Sequence, residues 1–396
     1  MTNTHETDVV ICGGGPAGML LGLLLARAGI RSIVLERNSD FAREYRGEVL
    51  LPRFAQMMQA AGLLDFLLGY RHLKLKGFEL FAYGRHITSF SIERMAPEMP
   101  YILWMPQPVM LGAFLDKART FPRHFSMWFD TRVDDLIQEN GVTKGVRITK
   151  SGQPASIRAK VTVGADGRGS LLRRKGGFEL AYEDHDFDLL WFTVPKPPAW
   201  ENHVRAFIST RHNYLTLPKL PDLIQVGVLI KSGEFDEYKR KGIKSLRTEL
   251  IEAHPAFGDF ARGLKDFGPF VLLPAIADRV KEWAKDGLLL IGDAAHTCSP
   301  AGAVGVSVAV GTAIAAAEVI QECFKTGDFS KNALSQVQAK REKEVIEIQA
   351  IQSRAAPIFN PANPLAKAWS LIVLMILAKT SLLMQVQRRL FVLKKK

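Results

Sequence analysis

Apolar residues along this chain change their spacing several times, and each change marks an element. Val9, Val10 and Ile11 form a continuous apolar run that stops at a glycine cluster, the pattern of a strand buried on both faces. A Leu- and Ala-rich helix is predicted over 16–28, with Gly29 where a C-cap belongs, and a second short strand over 32–35. This is the opening of a β-α-β unit. The spacing then becomes alternating: residues 76–92 predict an antiparallel hairpin around Gly84-Arg85, and Phe125, Met127 and Phe129 alternate in a strand. A helix over 109–119 lies between them, and Asn140-Gly141 marks a tight turn between two more strands. Strand-like runs follow at 190–194, 203–208 and 224–230, then an amphipathic helix over 243–254 and a strand over 288–291. The last third reads as helical. The fold class is therefore α/β: a β-α-β module interleaved with a mostly antiparallel sheet, followed by C-terminal helices.

Composition narrows the function. At 396 residues the chain exceeds one ordinary domain, and 47% apolar content is ample for a packed core. A net charge of +12 favours anionic partners, but it is spread thinly apart from Lys394-Lys395-Lys396, so nucleic acid is not expected. Cys12, Cys298 and Cys323 lie far apart with no CxxC spacing, which argues against a disulfide framework or a zinc site and for a reducing cytoplasm. With the first strand beginning near Asp8, no signal peptide is expected.

The chemistry begins at Gly13-Gly14-Gly15-Pro16-Ala17-Gly18, a G-x-G-x-x-G between a strand and a helix. Gly13 would permit the tight turn, Gly15 the approach of a pyrophosphate, and Gly18 close helix–strand packing. The helix start offers free N–H groups and a partial positive charge to phosphates. Glu36 ends the second strand, 18 residues beyond Gly18, where a carboxylate can accept from ribose hydroxyls. A glycine-rich turn in an unrelated protein would not explain Glu36.

Four further stretches, with this fingerprint, resemble the flavoprotein aromatic hydroxylases, the p-hydroxybenzoate hydroxylase-like, group A monooxygenases with one Rossmann-like FAD-binding domain. They are Glu44-Tyr45-Arg46-Gly47-Glu48; Gly164-Ala165-Asp166-Gly167-Arg168 with Ser170 and Arg173; Ile291-Gly292-Asp293-Ala294-Ala295-His296; and Ser299-Pro300-Ala301-Gly302-Ala303-Val304-Gly305. The resemblance spans roughly residues 8–345. It implies an FAD-binding domain over 1–75, 104–183 and 276–330 and a substrate-binding sheet over 76–103 and 184–275; the helical region expected over 331–396 lies largely beyond it. It implies that Arg46 and Gly47 meet the FAD pyrophosphate or ribityl region, with Arg37 and Val133 also beside the cofactor. Asp166 would lie near the dinucleotide, Asp293 would bind the ribityl chain, and Pro300, Gly302, Gly305 and Val306 would border the flavin's N1–C2=O edge. Many relatives carry an arginine near position 107, where Gln107 stands here, and an Asn and an Asp where Ser307 and Thr312 stand.

The activity so implied is FAD-dependent hydroxylation or epoxidation of an aromatic, lipophilic small molecule through a flavin C4a-hydroperoxide, with NADPH or NADH and O2 as co-substrates. No acid–base residue is assigned by motif; His212, Tyr214 and Gln225 are candidates, each with a surface or packing role as its alternative, and Glu48 is a candidate that its motif position places near the flavin. His296 would position its loop, and Cys298 would be a buried small residue. No tryptophan has another two residues away, so the Trp-x-Trp pattern expected of flavin-dependent halogenases is absent. A reductase of a quinone or polyprenyl substrate, or a degenerate flavoprotein without turnover, remains open. Residues 368–378 form an uninterrupted apolar run, too short for a bilayer span of about 20 residues. It would be a helix packed on the protein or on a partner subunit, or an interfacial membrane contact. A monomer or homodimer is expected.

Overall fold

The computed structural model describes residues 3–42, 48–197, 200–209, 211–254, 257–300, 302–359, 369, 388 and 390–393. Arg46, Gly47, Ala301 and the 368–378 run apart from Trp369 lie outside the described residues.

The buried apolar run at the N-terminus becomes the centre of an eight-stranded sheet. Strand Asn3–Cys12 pairs in parallel with Ser32–Leu35 on one side and with Gln153–Gly164 on the other. Phe125–Trp128 and Leu288–Leu290 extend the parallel set at its two ends. Helix Pro16–Arg27 covers this sheet, with Ala28 as its C-cap and Gly29 beyond it at φ +76°. Strands Thr131–Glu139 and Val142–Lys150 form an antiparallel meander running into Gln153–Gly164. Its first turn is Asn140-Gly141, both at positive φ, as the mirror-type hairpin turns require.

The second sheet also has eight strands. In order they are His296–Thr297, Val271–Val280, Leu180–Pro195, Leu223–Lys231, Asn213–Lys219, His203–Ile208, Gly77–Ala82 and Arg85–Ser91. All neighbours are antiparallel except His203–Ile208 with Gly77–Ala82. The expected 76–92 hairpin is present, but its turn residues at positive φ are Tyr83 and Gly84. The run expected at 190–194 is part of the longer strand Leu180–Pro195. Helix Gln107–Arg119 begins two residues before its expected start.

Both faces of the second sheet are covered. Ile224, Val226, Val228 and Ile230 pack with Phe235, Tyr238, Leu246 and Phe257 of the covering helices. Those helices are Glu234–Lys241, Ile243–Ala253 and Gly258–Gly263; the first, highly charged, has no counterpart in the hydrophobic pattern. The alternate residues face the other way. Leu189, Trp191, Leu215, Leu217 and Leu229 join the cluster that holds the first sheet's core. The second sheet thus roofs the first, and the parity of each roof residue decides which side it serves.

Helix Gly305–Thr326 lies in the core between Pro16–Arg27 and Gln336–Phe359. It is long and apolar enough to cross a membrane, yet mostly buried in this fold. Its many Ala and Gly residues permit close approach: Gly292 sits against Ala17 and Ala309, bringing two helix starts and the turn before Asp293 together.

Candidate cofactor and substrate site

The glycine turn is held by its neighbours. Gly13 has φ +117°, and a Cβ there would stand 2.2 Å from the Ala165 carbonyl oxygen. A Cβ on Gly18 would stand 2.0 Å from the Gly13 oxygen. Gly15 is different: a Cβ there would meet nothing within 4 Å. Helix Pro16–Arg27 starts at this open point without a side-chain cap, so its first-turn N–H groups, with Pro16 and Ala17 beside them, face an uncontested space. Glu36 closes the other side. Its Oε2 accepts from the Gly14 N–H at 3.2 Å, and its Oε1 accepts from the Asn38 N–H and side-chain amide at 3.1 and 2.9 Å. Arg37 next to it is exposed, and Val133 lies half-buried in the adjoining meander.

Asp166 is engaged by its own loop. It accepts from the Ser170 hydroxyl at 2.6 Å and from the Leu171 and Leu172 N–H groups at 2.7 and 3.2 Å, fixing the start of helix Leu171–Lys175. That arrangement makes it a holder of the motif. Arg168 leaves the same loop toward the third motif, with its Nε 3.6 Å from Asp293 Oδ2 and its Nη1 donating to the Pro274 carbonyl of the roof. Arg173 donates to Asp278 of the roof at 2.9 Å.

Asp293 sits in a short 3-10 turn, and the chain then passes His296 and Cys298. Burial holds the His296 imidazole down at about 3, so the ring is neutral. The Thr312 hydroxyl donates to the Val308 carbonyl and lies 2.8 Å from His296 Nε2, which assigns the donor role in that contact to the histidine. A neutral Thr–His pair anchors the loop without burying a charge. Burial pushes the Cys298 thiol up to about 12, so it stays protonated.

Beyond that loop, Gly302 and Ala303 take positive φ, and helix Gly305–Thr326 begins without a side-chain cap. Val306 is half-buried at its first turn, and the fully buried Ser307 hydroxyl has no hydrogen-bond partner. Pro300 is also half-buried, and Gln107 is buried at the start of helix Gln107–Arg119.

The four polar candidates separate. Gln225 faces the first sheet by its register, beside Thr193 and Leu217, and its buried Oε1 has no partner. Trp191 lies beside it, its ring so close over Gly227 that a Cβ there would stand 2.6 Å away. His212 and Tyr214 lie under the covering helices instead. His212 contacts Glu234 at 2.9 Å and Glu249 at 3.2 Å, and Tyr214 packs on Phe257. Glu48 is buried against the roof, 3.6 Å from Lys219 Nζ; burial raises its carboxyl while the lysine opposes that rise. Neither Lys219 nor Arg168 was singled out as a site residue by sequence pattern.

The open space over Gly15, the uncapped helix starts, and the unpartnered Gln225 and Ser307 oxygens fit a dinucleotide with a ring system beneath the roof.

Comparisons with known proteins agree. Residues 6–348 match the family described as FAD binding domain. A curated relative, 6-methylpretetramide 4-monooxygenase of Streptomyces rimosus, is 34% identical over 354 residues, covering 88% of this chain and 84% of that protein. Among solved structures, p-nitrophenol 4-monooxygenase PnpA of Pseudomonas putida superposes with a TM-score of 0.80 at 21% identity, covering 98% of this chain and 97% of that one. PqsL of P. aeruginosa, solved with 2-aminobenzoylacetate, gives a TM-score of 0.79 at 21% identity, covering 93% and 100%. More distant matches include a chlorinase and a lipid reductase.

Proposed function

This chain belongs to the FAD-dependent monooxygenases of the FAD binding domain family, and from that premise we propose that it oxygenates a lipophilic, hydroxylated aromatic molecule held beneath the roof. The enzyme is an oxidoreductase that uses FAD, and NAD(P)H is the reductant typical of the family. The observation that carries the substrate reading is the roof's inner face: Trp191, Leu215, Leu217 and Leu229, interrupted by Gln225 with its unpartnered oxygen. Such a surface suits a flat apolar ring with one polar substituent. The relative that acts on 6-methylpretetramide supports an aromatic substrate class.

Bound FAD would take electrons from NAD(P)H and supply the oxygen-transfer chemistry. The chain's residues would do the rest. Gly13, Gly15, Pro16, Ala17, Gly18 and Glu36 would hold the ADP half, with Arg37, Arg46, Gly47 and Val133 along it. Gln107 and Asp293 would bind the ribityl chain. Pro300, Gly302, Gly305 and Val306 would set a helix start against the ring edge, where backbone N–H groups stabilise negative charge. Asp166 would keep its loop in shape. The roof would exclude water, and Gln225 would orient the substrate. The first sheet with its helices would form the FAD-binding domain, the second sheet the substrate domain. A cytoplasmic monomer or homodimer fits this reading.

The test is NADPH and NADH oxidation by FAD-loaded protein against phenols, quinones and quinolones, with and without O2, and mass spectrometry of the products. A product gaining one oxygen atom only with O2 is expected. A product gaining two hydrogens without O2 would replace the monooxygenase by a reductase.

A further inference from the structure

Helix Gln336–Phe359 reaches the chain before Gly305 through two buried glutamines, neither of which lies in a sequence motif. Gln349 and Gln352 stand three residues apart and so share one face of the helix. Gln349 Nε2 donates to the Thr297 and Asp278 carbonyls, both at 2.9 Å, and its Oε1 accepts from Arg279 Nη1 at 2.6 Å. Gln352 Nε2 donates to the Ser299 carbonyl at 2.8 Å. Two amides on one helix face thus grip alternate carbonyls of the chain that enters the loop. Farther along, the loop meets the C-terminal segment. A Cβ on Gly302 would lie 3.5 Å from Leu390 Cδ1, an ordinary packing distance. That segment is tied down where Arg53 Nη1 donates to the Leu390 carbonyl at 3.3 Å and the Leu393 N–H donates to Gln56 Oε1 at 3.0 Å. Beside these holds, Gly302 and Ala303 take φ +80° and +52°. The alanine is strained there, and such a conformation persists only where surrounding contacts enforce it.

We infer that Gln352, with Leu390 supporting it farther along, is a positioning residue for the flavin. It fixes the loop 299–304 so that the first N–H groups of helix Gly305–Thr326 face the ring edge. The inference rests on the placement of FAD against residues 300–306 proposed above and deepens it. That helix starts without a side-chain cap, so its N–H groups are available, and the loop that delivers the chain sets their direction. Reduction puts negative charge on the ring's N1–C2=O edge, and donors stabilise it only within hydrogen-bond reach. A small rotation of the helix start therefore costs the reduced cofactor more than the oxidised one. The ADP half would rest instead on residues 13–18 and Glu36, which pack on Ala165 and bond Asn38. Gln352 thereby governs the electron affinity of the cofactor and not its retention.

The test is the midpoint potential of FAD bound to the full chain, with FAD affinity and melting temperature measured beside it. Gln352→Met keeps the length of the side chain and removes the donor. It is expected to bind oxidised FAD as the wild type does, while its preference for the reduced form drops about tenfold. For a two-electron couple that is a potential lower by about 30 mV. Leu390→Ala, at a half-buried position, should lower the potential in the same direction by less, and it carries the test if the methionine variant does not fold. A glutamine that served packing alone would lower the melting temperature and leave the potential unchanged. A wild-type potential in either variant overturns the proposal, and so does loss of bound FAD from Gln352→Met. Asp293→Ala separates this from the placement of the cofactor. If that variant binds FAD weakly while the potentials of the other two stay unchanged, only the role of Gln352 falls. If it too has no effect, the placement falls with it.

Discussion

The guanidinium of Arg168 stands 3.6 Å from the carboxylate of Asp293, which ties the second motif of the chain to the third. Both side chains are about one-third exposed, at 34% and 37%, so water screens the pair and its direct contribution to folding is small. Its value lies in orientation, because Arg168 also donates to the Pro274 carbonyl of the roof. Asp293→Ala is expected to weaken FAD binding about tenfold or more, the loss of a charge-assisted contact. Arg168→Met should weaken it only about two- to five-fold and leave the fold intact. Fluorescence titration of apoprotein with FAD measures both. Equal losses would mean that Arg168 meets the cofactor itself.

Gly15 and Gly18 should behave as opposites. At Gly18 a methyl group would collide with the Gly13 carbonyl, a backbone atom that cannot step aside, so Gly18→Ala should yield little folded protein. At Gly15 the same methyl meets nothing within 4 Å. Gly15→Ala should therefore melt within about 0.5 kcal/mol of the wild type, as an unobstructed surface change does. It should nevertheless bind FAD weakly, because the methyl occupies space proposed for the pyrophosphate. Calorimetry of the apoprotein and FAD titration separate the two effects.

His212 carries a pH signature away from the chemistry. Burial disfavours its charge, but the hydrogen bonds it donates to Glu234 and Glu249, with their negative charge, outweigh that and raise its pKa above the ordinary value. A raised folded-state pKa adds stability below the unfolded value of about 6.5 and loses it as pH rises through the folded value. Glu234 and Glu249 are lowered despite burial, by the same histidine, so their contribution fades instead as pH falls through their folded values. The covering helices should thus be most stable between the two limits. Melting temperatures of wild type and His212→Gln from about pH 5 to about pH 9 test this. The variant should lose the alkaline decline.

A Cβ on Gly227 would stand 2.6 Å from the Trp191 ring, so Gly227→Ala must displace that ring, which belongs to the roof face proposed to cover the substrate. Overpacking of this kind costs about 1–3 kcal/mol. FAD content should stay unchanged while KM rises about five- to tenfold, with turnover measured on whichever substrate the product assay identifies.

The local parts of this design could be read from the chain. The glycine turn, Glu36 and the Asn140-Gly141 hairpin depend on neighbouring residues, and their spacing reports them. Parity on the roof was harder to read. Both faces of strand Leu223–Lys231 are covered, one by the first sheet and one by helices, so apolar residues fall on both faces and alternation carries little information. Gln225, His212 and Tyr214 looked equivalent for that reason. The structure puts the first on one side and the other two behind the sheet. Helix Glu234–Lys241 carries almost no apolar pattern, because only Phe235 and Tyr238 of its eight residues are buried. The Arg168–Asp293 and Glu48–Lys219 contacts join residues remote in the chain, and no local pattern encodes them.

The N-terminal strand has a consequence for how the protein is made. Asn3–Cys12 is synthesised well before its partner Gln153–Gly164, and the strand Leu288–Leu290 that flanks that partner comes later still. Gly13 rests on Ala165, and Ala17 on Gly292. The glycine turn therefore exists as a finished shape only after most of the chain has been synthesised. Closing such distant pairings is slow, and buried strands wait exposed in the meantime. During that interval the turn proposed to seat FAD is incomplete, so uptake of the cofactor is expected at the end of folding, where binding to the folded form adds to its stability.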